Sequence, residues 1–343
     1  MRAVVYSELG ASSVLGLVER DLPTPHWGEV RVRVAIAGVN PTDWKFRAGT
    51  TASSMPFDEV VPGQDGAGIV DEVGNGVTGL SAGDRVWVFL AQHGRPIGTA
   101  AEYTVVPAER VARLPGTASY DVGASLGVPA MTAHRALTVH EDGPTRLGPG
   151  ALDDRTVLVT GGAGAVGNAA IQLAAWSGAT VLTTVSSDEK AALARDAGAH
   201  HVLNYREGDP AAAVREVAPD GVDVVVDVAI IQNADLVARV LKTRGAVSIY
   251  ANTGGTEVTL PVRPLMSLNA RLQFVMLYTV GEEALRNGAE DVTAAVADGA
   301  VRVGEEHGLP LVRFPLAETA AAHDAVENGT VGKVLIDVAD LGD

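Results

Sequence analysis

Residues 157–167 read VLVTGGAGAVG, an apolar run followed by a cluster of glycines. Gly162, Gly164 and Gly167 form the pattern GxGxxG between a predicted strand and a predicted helix. We expect Gly162 to allow a tight turn, Gly164 to let the backbone approach a pyrophosphate, and Gly167 to let helix and strand pack closely. The free N–H groups of the first helical turn would face the anion. The segment predicts a dinucleotide-binding loop, with a purely structural glycine turn as the alternative.

The sequence that follows alternates between strand-like and helix-like patterns. Residues 222–227 are almost continuously β-branched, which is typical of a strand covered on both faces. Alternation of this kind predicts βαβ units, a parallel sheet and an α/β fold of the doubly wound class. The six predicted strands are Val157–Thr160, Val181–Val185, His201–Leu203, Val222–Asp227, Ala246–Tyr250 and Leu272–Leu277.

Both ends of the chain follow a different rhythm. Val30, Val32, Val34 and Ile36 alternate with more polar residues, the signature of a half-buried strand. A tail of two helices and two strands, from Glu282 onward, could bury little by itself, so we expect it to complete the first domain. The predicted domains are therefore a β-rich domain of residues 1–125 and 282–343, and a doubly wound domain of residues 126–281. Residues 140–155 form a long loop without an assigned role.

Composition excludes several classes of function. The chain of 343 residues has no cysteine, which excludes disulfides, thiolate zinc sites, iron–sulfur clusters and a catalytic thiol. Its formal net charge of −16 disfavours binding to nucleic acid. We find no apolar run long enough for a membrane span and no signal-peptide pattern at the N-terminus. We therefore expect a cytoplasmic protein that binds neither membranes nor nucleic acid.

The end of the second predicted strand bears on cofactor choice. An NAD-specific site usually presents a carboxylate there, but this strand ends in Ser186 and Ser187. Lys190 follows within one helical turn, and Tyr205 follows the third strand. Hydroxyls with cations suit a 2′-phosphate, so the pattern predicts NADPH. Alternatively, Ser187 is a helix N-cap followed by acids in the first turn, and both interpretations can hold together.

With these residues identified, the chain resembles the zeta-crystallin-like quinone reductases, a zinc-free branch of the medium-chain dehydrogenase/reductase superfamily. The resemblance runs over nearly the whole length. It rests on the glycine loop and on the segments Gly38–Asp43, Pro62–Gly68, Gly83–Val86, Met131–Ala133, Asn204–Glu207 and Gly332–Leu335. It implies a GroES-like catalytic domain built from both chain ends, a Rossmann domain between them, and a nicotinamide that faces the catalytic domain.

The resemblance also implies a set of cofactor-binding residues. Asn40, Lys45 and Thr132 would lie near the nicotinamide, and Ser186, Lys190 and Tyr205 around the 2′-phosphate. The remaining positions are Ala163, Gly164, Ala165 and Val166 at the pyrophosphate, Ile231, Ala251, Asn252, Thr253, Gly254, Val275, Met276 and Leu277 along the later strand ends, and Lys333 near the C-terminus. Two positions depart from the family pattern: Ala165 replaces a glycine, and Lys45 replaces an aromatic residue, which leaves the quinone contacts open.

Zinc-dependent relatives carry a cysteine and a His-Glu pair where this chain has Asn40 and Gln64-Asp65. Amides cannot supply the thiolate and imidazole that a catalytic zinc needs, so we expect no metal. Without a Lewis acid, the expected reaction is reduction of a quinone by NADPH, with Asn40 and Thr42 as catalytic candidates. Thr42 would deliver a proton, or it merely bonds its own turn.

Two other functions are compatible with the same sequence. The first alternative is an enoyl reductase or alkenal/one oxidoreductase acting on α,β-unsaturated carbonyls. The second, of another class, is a non-enzymatic nucleic-acid-binding or crystallin-type protein, which the acidic charge disfavours. The expected partners are a small-molecule quinone or enone and a second copy of the chain in a homodimer, which the apolar segment Leu272–Leu277 could join.

Overall fold

The computed structural model describes residues 1–50 and 53–342. The chain divides into two compact units. The first contains Met1–Val128 and the chain from Leu311 on, and the second contains Pro129–Pro310. Among the described residues, no helix is long and apolar enough to span a bilayer.

The secondary structure comprises strands and helices in both units, numbered here in chain order. The strands are β1 (Arg2–Val5), β2 (Gly16–Glu19), β3 (Glu29–Val39), β4 (Asp65–Val73), β5 (Arg85–Val88), β6 (Tyr103–Pro107), β7 (Val111–Arg113), β8 (Thr156–Thr160), β9 (Thr180–Val185), β10 (His201–Asn204), β11 (Val222–Asp227), β12 (Leu241–Ile249), β13 (Arg271–Phe274), β14 (Leu311–Pro315) and β15 (Lys333–Asp337). The helices are α1 (Pro41–Arg47), α2 (Tyr120–Leu137), α3 (Ala165–Trp176), α4 (Asp188–Asp196), α5 (Pro210–Val217), α6 (Ile230–Val240), α7 (Val262–Ser267), α8 (Glu282–Ala297) and α9 (Thr319–Glu327).

The first unit is built on a seven-stranded sheet in the order β14-β15-β3-β4-β5-β7, with β6 also paired to β3. Strand β3 is central because it pairs with β15, β4 and β6, and its inward residues, among them Val30, Val32 and Val34, are almost fully buried. The chain returns at its C-terminal end, where β15 pairs antiparallel with β3 and brings Val334 opposite Val39. This return places Lys333 beside the segment that follows β3.

The second unit is a parallel sheet in the order β10-β9-β8-β11-β12-β13. The order reverses between β8 and β11, which makes the doubly wound arrangement in which ligands bind at the carboxyl ends of the strands. All six residues of β11 are buried, as the continuous β-branched run predicts for a strand covered on both faces. The predicted fold class is confirmed.

The predicted domain boundaries differ from this division. The first boundary falls within helix α2, between Val128 and Pro129, rather than at residue 125. The larger difference concerns residues 282–310, which group with the second unit instead of the first. Helix α8 accounts for this, because its buried Asp291 contacts His134 and the backbone N–H of Leu147 in that unit. A helical pattern shows an apolar face but does not indicate which sheet covers it.

Candidate active site

The predicted cofactor residues of the second unit lie along one edge of its sheet. Because all six strands are parallel, the segments that follow them meet at their carboxyl ends. Ser186 follows β9, Tyr205 follows β10, and Ile231 lies in the first turn of α6 after β11. The other positions are Ala163, Gly164, Ala165 and Val166 after β8, Ala251, Asn252, Thr253 and Gly254 after β12, and Val275, Met276 and Leu277 after β13. Thr132 is buried within α2.

The glycine loop leaves an open approach to the N-terminus of α3. Gly164 is the exposed N-cap residue, and a Cβ placed there would meet nothing closer than the Gly161 carbonyl oxygen at 3.5 Å. At Gly167, by contrast, a Cβ would collide with Gly161, so this glycine allows the close packing of helix and strand. The loop therefore offers space and N–H groups suited to a pyrophosphate.

One detail of the loop differs from the expectation. The left-handed residue of the turn is Gly161, with φ of 72°, whereas Gly162 does not have a positive φ. Gly162 instead lies against Thr183 of β9, where a Cβ would collide with the Thr183 hydroxyl. The prediction that Gly162 makes the tight turn is wrong, because two adjacent glycines at a strand end do not show which one takes the left-handed conformation.

Ser186 and Lys190 come together at the end of β9. The Lys190 ammonium lies 3.3 Å from the Ser186 hydroxyl oxygen. Ser187 caps α4 by accepting a hydrogen bond from the Lys190 backbone N–H at 3.4 Å. Ser187 therefore caps α4 while the Lys190 ammonium remains beside Ser186, so both interpretations hold together. Tyr205 is half exposed at the end of the neighbouring strand.

Sequence reasoning missed Asp227, the last residue of β11. Its carboxylate is fully buried and accepts hydrogen bonds from the Thr160 hydroxyl at 3.1 Å, the Asn233 amide at 2.8 Å and the Ala229 N–H at 2.7 Å. Burial raises the pKa of Asp227 above its usual range, although these donors oppose the shift. Asp227 thereby ties the end of β8 to the start of α6. An acid at the end of a strand of mostly β-branched residues is the signal that could have revealed it.

In the first unit, Asn40 lies in a buried polar cluster at the end of β3. Its amide nitrogen donates to Asp65 Oδ2 at 2.6 Å, and its Oδ1 accepts from the Lys333 ammonium at 2.7 Å. Its backbone N–H donates to Asp43 Oδ2 at 2.7 Å. The Gln64 side chain lies outside this cluster, and its Nε2 donates a hydrogen bond to Gln92 Oε1 at 2.9 Å. The cluster brings together Asn40 after β3, Asp43 of α1, Asp65 of β4 and Lys333 of β15.

The electrostatics of the cluster follow from its burial. Asn40, Asp43, Asp65 and Lys333 are each at most 4% exposed. Burial, followed by the charge of Asp65, raises the pKa of Asp43 to about 7. Burial likewise raises the pKa of Asp65 and lowers the pKa of Lys333, while the attraction between these two opposes both shifts. Two carboxyls and one ammonium thus share a site with little access to water.

The other predicted residues of this unit differ in their surroundings. The Thr42 hydroxyl is buried and has no hydrogen-bond partner within residues 1–50 and 53–342, so the alternative in which it bonds its own turn is not observed there. Lys45 lies 5.8 Å from the centre of the Trp44 ring. Lys333 is 1% exposed, and its amine donates to the Val39 carbonyl oxygen, so its contact with a cofactor stays a prediction.

The donor set around Asn40 does not suit zinc. Zinc sites use thiolate, imidazole and carboxylate ligands, and here the Asn40 amide oxygen already faces an ammonium group. A dication bound beside Lys333 would meet a buried positive charge of the same sign. Within the described part of the chain, no group of three or more His, Asp or Glu residues could hold a metal ion.

Comparison with known protein families matches both units. The family model of the zinc-binding dehydrogenases covers residues 165–295, and that of the alcohol dehydrogenase GroES-like domain covers residues 26–116. The two matches fall on the parallel-sheet unit and on the part of the first unit that contains Asn40 and Asp65.

Individual relatives extend the similarity to nearly the full length. Quinone oxidoreductase from Rattus norvegicus is 32% identical, with 98% of this chain and 97% of the relative covered. A 2-haloacrylate reductase from a Burkholderia species is 31% identical, with 98% of each chain covered. The solved structure of Escherichia coli quinone oxidoreductase complexed with NADPH is 26% identical, with a TM-score of 0.79 and coverage of 98% and 100%.

Proposed function

Since the chain belongs to the medium-chain dehydrogenase/reductase superfamily, we propose that it reduces quinones by hydride transfer from NADPH, without zinc. Oxidoreductase chemistry follows from the full-length similarity to reductases of this superfamily. The choice of acceptor and the independence from zinc rest on the cluster around Asn40. There, an amide is held between an ammonium and a carboxylate at the position that holds a metal ligand in zinc-dependent relatives.

A neutral amide site matches the chemistry of quinone reduction. The acceptor takes a hydride, which is two electrons with one proton, and a second proton from solvent yields the hydroquinone and NADP⁺. Negative charge develops on a quinone oxygen that can be protonated directly, so neither a Lewis acid nor a strong general acid is required. A hydrogen-bond donor such as the Asn40 amide can stabilise that charge.

NADPH supplies the hydride when it is bound, and the second unit offers groups that fit it. The open space at Gly164 and the N-terminus of α3 suit the pyrophosphate. Lys190 and Ser186, 3.3 Å apart, suit a 2′-phosphate because a cation and a hydroxyl both favour an anion. We therefore propose NADPH rather than NADH, in agreement with the NADPH complex of the related Escherichia coli enzyme.

The second candidate is reduction of an α,β-unsaturated carbonyl, favoured by the similarity to a 2-haloacrylate reductase. Such a reaction differs in one requirement, because the carbon next to the carbonyl must receive a proton. The Thr42 hydroxyl, which has no hydrogen-bond partner in the described part of the chain, is the group we would assign to that step.

A panel of quinones, enones and alcohols, each followed by NADPH or NADP⁺ absorbance, tests the proposal. We expect oxidation of NADPH with quinones to exceed that with enones at least tenfold in kcat/KM, and no oxidation of alcohols. Faster turnover of enones would favour the second candidate. Alcohol oxidation with added zinc would contradict the zinc-free mechanism.

A further inference from the structure

The side-chain amide of Asn40 has only one orientation that its neighbours tolerate. Its Oδ1 faces the Lys333 ammonium at 2.7 Å and its Nδ2 faces Asp65 Oδ2 at 2.6 Å. Rotation by half a turn would bring the amide oxygen against a carboxylate and the amide N–H groups against an ammonium. In a buried site with weak screening, both contacts would be repulsive.

Lys333 and Asp65 are themselves held in place. The Lys333 ammonium also donates to the Val39 carbonyl at 3.1 Å and lies 3.7 Å from Asp65 Oδ2. Asp65 Oδ1 accepts from the Val128 N–H at 2.8 Å, and the Asp65 carboxyl packs so closely on Gly127 that a Cβ there would collide with it. Neither group can move aside, so the amide cannot adjust its position freely.

Among the residues that the structure describes, the hydrogen bonds of Asn40 leave part of its side-chain amide without a partner. One of its two Nδ2 hydrogens is bonded to Asp65, and one of the two Oδ1 lone pairs is bonded to Lys333. The backbone of Asn40 is fixed separately, through its hydrogen bond to Asp43. The second Nδ2–H is therefore a donor whose direction is set by two charged groups.

We propose that Lys333 and Asp65 are positioning residues of the reductase, which hold Asn40 so that its second Nδ2–H donates to the acceptor oxygen that becomes negative. This inference rests on the proposed function and adds to it two residues that do not touch the ligand. Their opposite charges also compensate each other, so neither of the two is buried without a partner of opposite sign.

The first variant is Lys333→Met, which has a similar length and no charge. We expect kcat for quinone reduction to fall about tenfold to a hundredfold, since a misdirected donor loses much of the stabilisation that an aligned one supplies. The KM for the quinone and the Kd for NADPH, measured by its fluorescence, should change less than about threefold. Asp65→Asn should likewise lower kcat strongly and change KM little.

A charge-neutral double variant separates positioning from stability. Each single variant leaves a buried charge without its partner and should lower the Tm. In Lys333→Met/Asp65→Asn both charges are absent, so we expect the Tm to recover toward the wild-type value while kcat stays low. Val334→Ala, a buried neighbour of Lys333 on β15, is the control that lowers the Tm and leaves kcat unchanged.

A cycle with Asn40→Ala identifies the residue through which Lys333 acts. When Asn40 is already absent, Lys333→Met should lower kcat no further. If Lys333→Met lowers kcat by the same factor in the wild type and in Asn40→Ala, Lys333 and Asp65 are structural only. Recovery of kcat together with the Tm in Lys333→Met/Asp65→Asn would show the same. If wild-type protein reduces no quinone or enone with NADPH, the proposed function fails, and this inference fails with it. If the wild type is active but the effects of Lys333→Met and Asn40→Ala on kcat are additive, this inference fails and the proposed function stands.

Discussion

At the scale of single residues, Gly164 is the position where a side chain would do most harm to binding and least to folding. Its backbone angles, φ of −83° and ψ of 161°, are open to any residue, and the space beside it is empty. A branched side chain would fill the volume that the pyrophosphate needs.

We predict that Gly164→Val abolishes measurable NADPH binding and costs no more than about 1 kcal/mol of stability, the scale of an N-cap change. Cofactor fluorescence measures the first quantity, and urea unfolding followed by circular dichroism measures the second. Gly148→Val is the matched control, because Gly148 also has open space and lies away from the glycine loop. Normal binding by Gly164→Val would mean that the loop holds no dinucleotide.

Cofactor preference depends on a second residue, Lys190. We predict that the wild type prefers NADPH over NADH at least tenfold in kcat/KM. Lys190→Ala should reduce this preference by about 1–2 kcal/mol, the value of a partly exposed charge-assisted contact. Rates with NADH should stay unchanged. Lys242→Ala is the control, since Lys242 pairs with Asp223 at 3.2 Å instead. Equal use of both cofactors by the wild type contradicts the assignment.

The sequence predicted part of the site at this scale. The glycine loop and the residues after each parallel strand could be located because their contacts are local in the chain. The environment of Asn40 could not be predicted from the sequence, because Lys333 is 293 residues away along the chain. The two residues meet only because β15 returns to pair with β3. The contact of Lys333 with a cofactor stays a prediction, and its amine donates to the Val39 carbonyl oxygen inside the first unit.

At the scale of secondary-structure elements, the loop of residues 140–155 is joined to helix α8 through the buried carboxylate of Asp291. Asp291 accepts hydrogen bonds from the Leu147 N–H at 2.7 Å and from the Arg146 guanidinium, and lies 2.8 Å from His134 Nε2. Although burial opposes it, these donors lower the pKa of Asp291 to about 2. Arg146 and Leu147 thus bind this loop, whose role the sequence left open, to α8.

The lowered pKa makes a prediction about stability in acid. A carboxyl with a folded pKa near 2 and an ordinary unfolded value near 3.8 stabilises the fold by about 2 kcal/mol above pH 4. That contribution disappears as the pH falls from about 4 to 2. Asp291→Asn should therefore lose it at pH 7, and the difference from wild type should shrink toward pH 2, as measured by urea unfolding.

The neighbouring Glu290 provides the control for this experiment. It pairs with the same arginine, Arg146, at 2.9 Å, but it is largely exposed. Glu290→Gln should change stability by less than about 0.5 kcal/mol, because exposed ion pairs contribute little. If Glu290→Gln lowers the free energy of unfolding as much as Asp291→Asn, the charge of the carboxylate and not its burial determines the loss of stability.

Long elements were predicted better than short ones. Strand β3 and helix α3 show clear periodicity over many residues, whereas β2, α1 and α7 have only four to seven residues and show too few turns or alternations. Strand β12 begins at Leu241, five residues before the predicted start at Ala246. The positive φ of Arg244, 66°, interrupts the alternation there and hides the first part of the strand.

At the scale of the whole molecule, one edge of the parallel sheet is uncovered. Strand β13 pairs with β12 on one side, and its other edge has no strand partner in the described ranges. Phe274 and Met276 at this edge are 65% and 59% exposed. Exposed strand edges with apolar side chains favour pairing with another chain.

We predict a homodimer joined at this edge. Light scattering should give about twice the chain mass of 35.3 kDa for the wild type, and Phe274→Lys should shift it toward the monomer because a charge would enter the contact. Trp27→Lys, which changes another exposed aromatic residue in the first unit, should leave the mass unchanged. A monomeric wild type contradicts the prediction.

Metal content is a second property of the whole molecule. With Asn40 and Gln64 at the positions of zinc ligands and no cysteine in the chain, we predict far less than one zinc per chain by elemental analysis. Chelators should leave quinone reduction unchanged. Stoichiometric zinc whose removal abolishes activity would overturn the zinc-free mechanism.

The seclusion of Lys333 has a consequence for the lifetime of the enzyme. Quinones and enones are electrophiles that alkylate thiolates and neutral amines, so a reductase of such compounds is exposed to covalent damage by its own substrates. This chain offers no thiol, and the amine nearest to Asn40 is 1% exposed and committed to hydrogen bonds. The proposed positioning residues, Lys333 and Asp65, are thus shielded from the reactivity of a quinone or enone, and turnover should not progressively alkylate them.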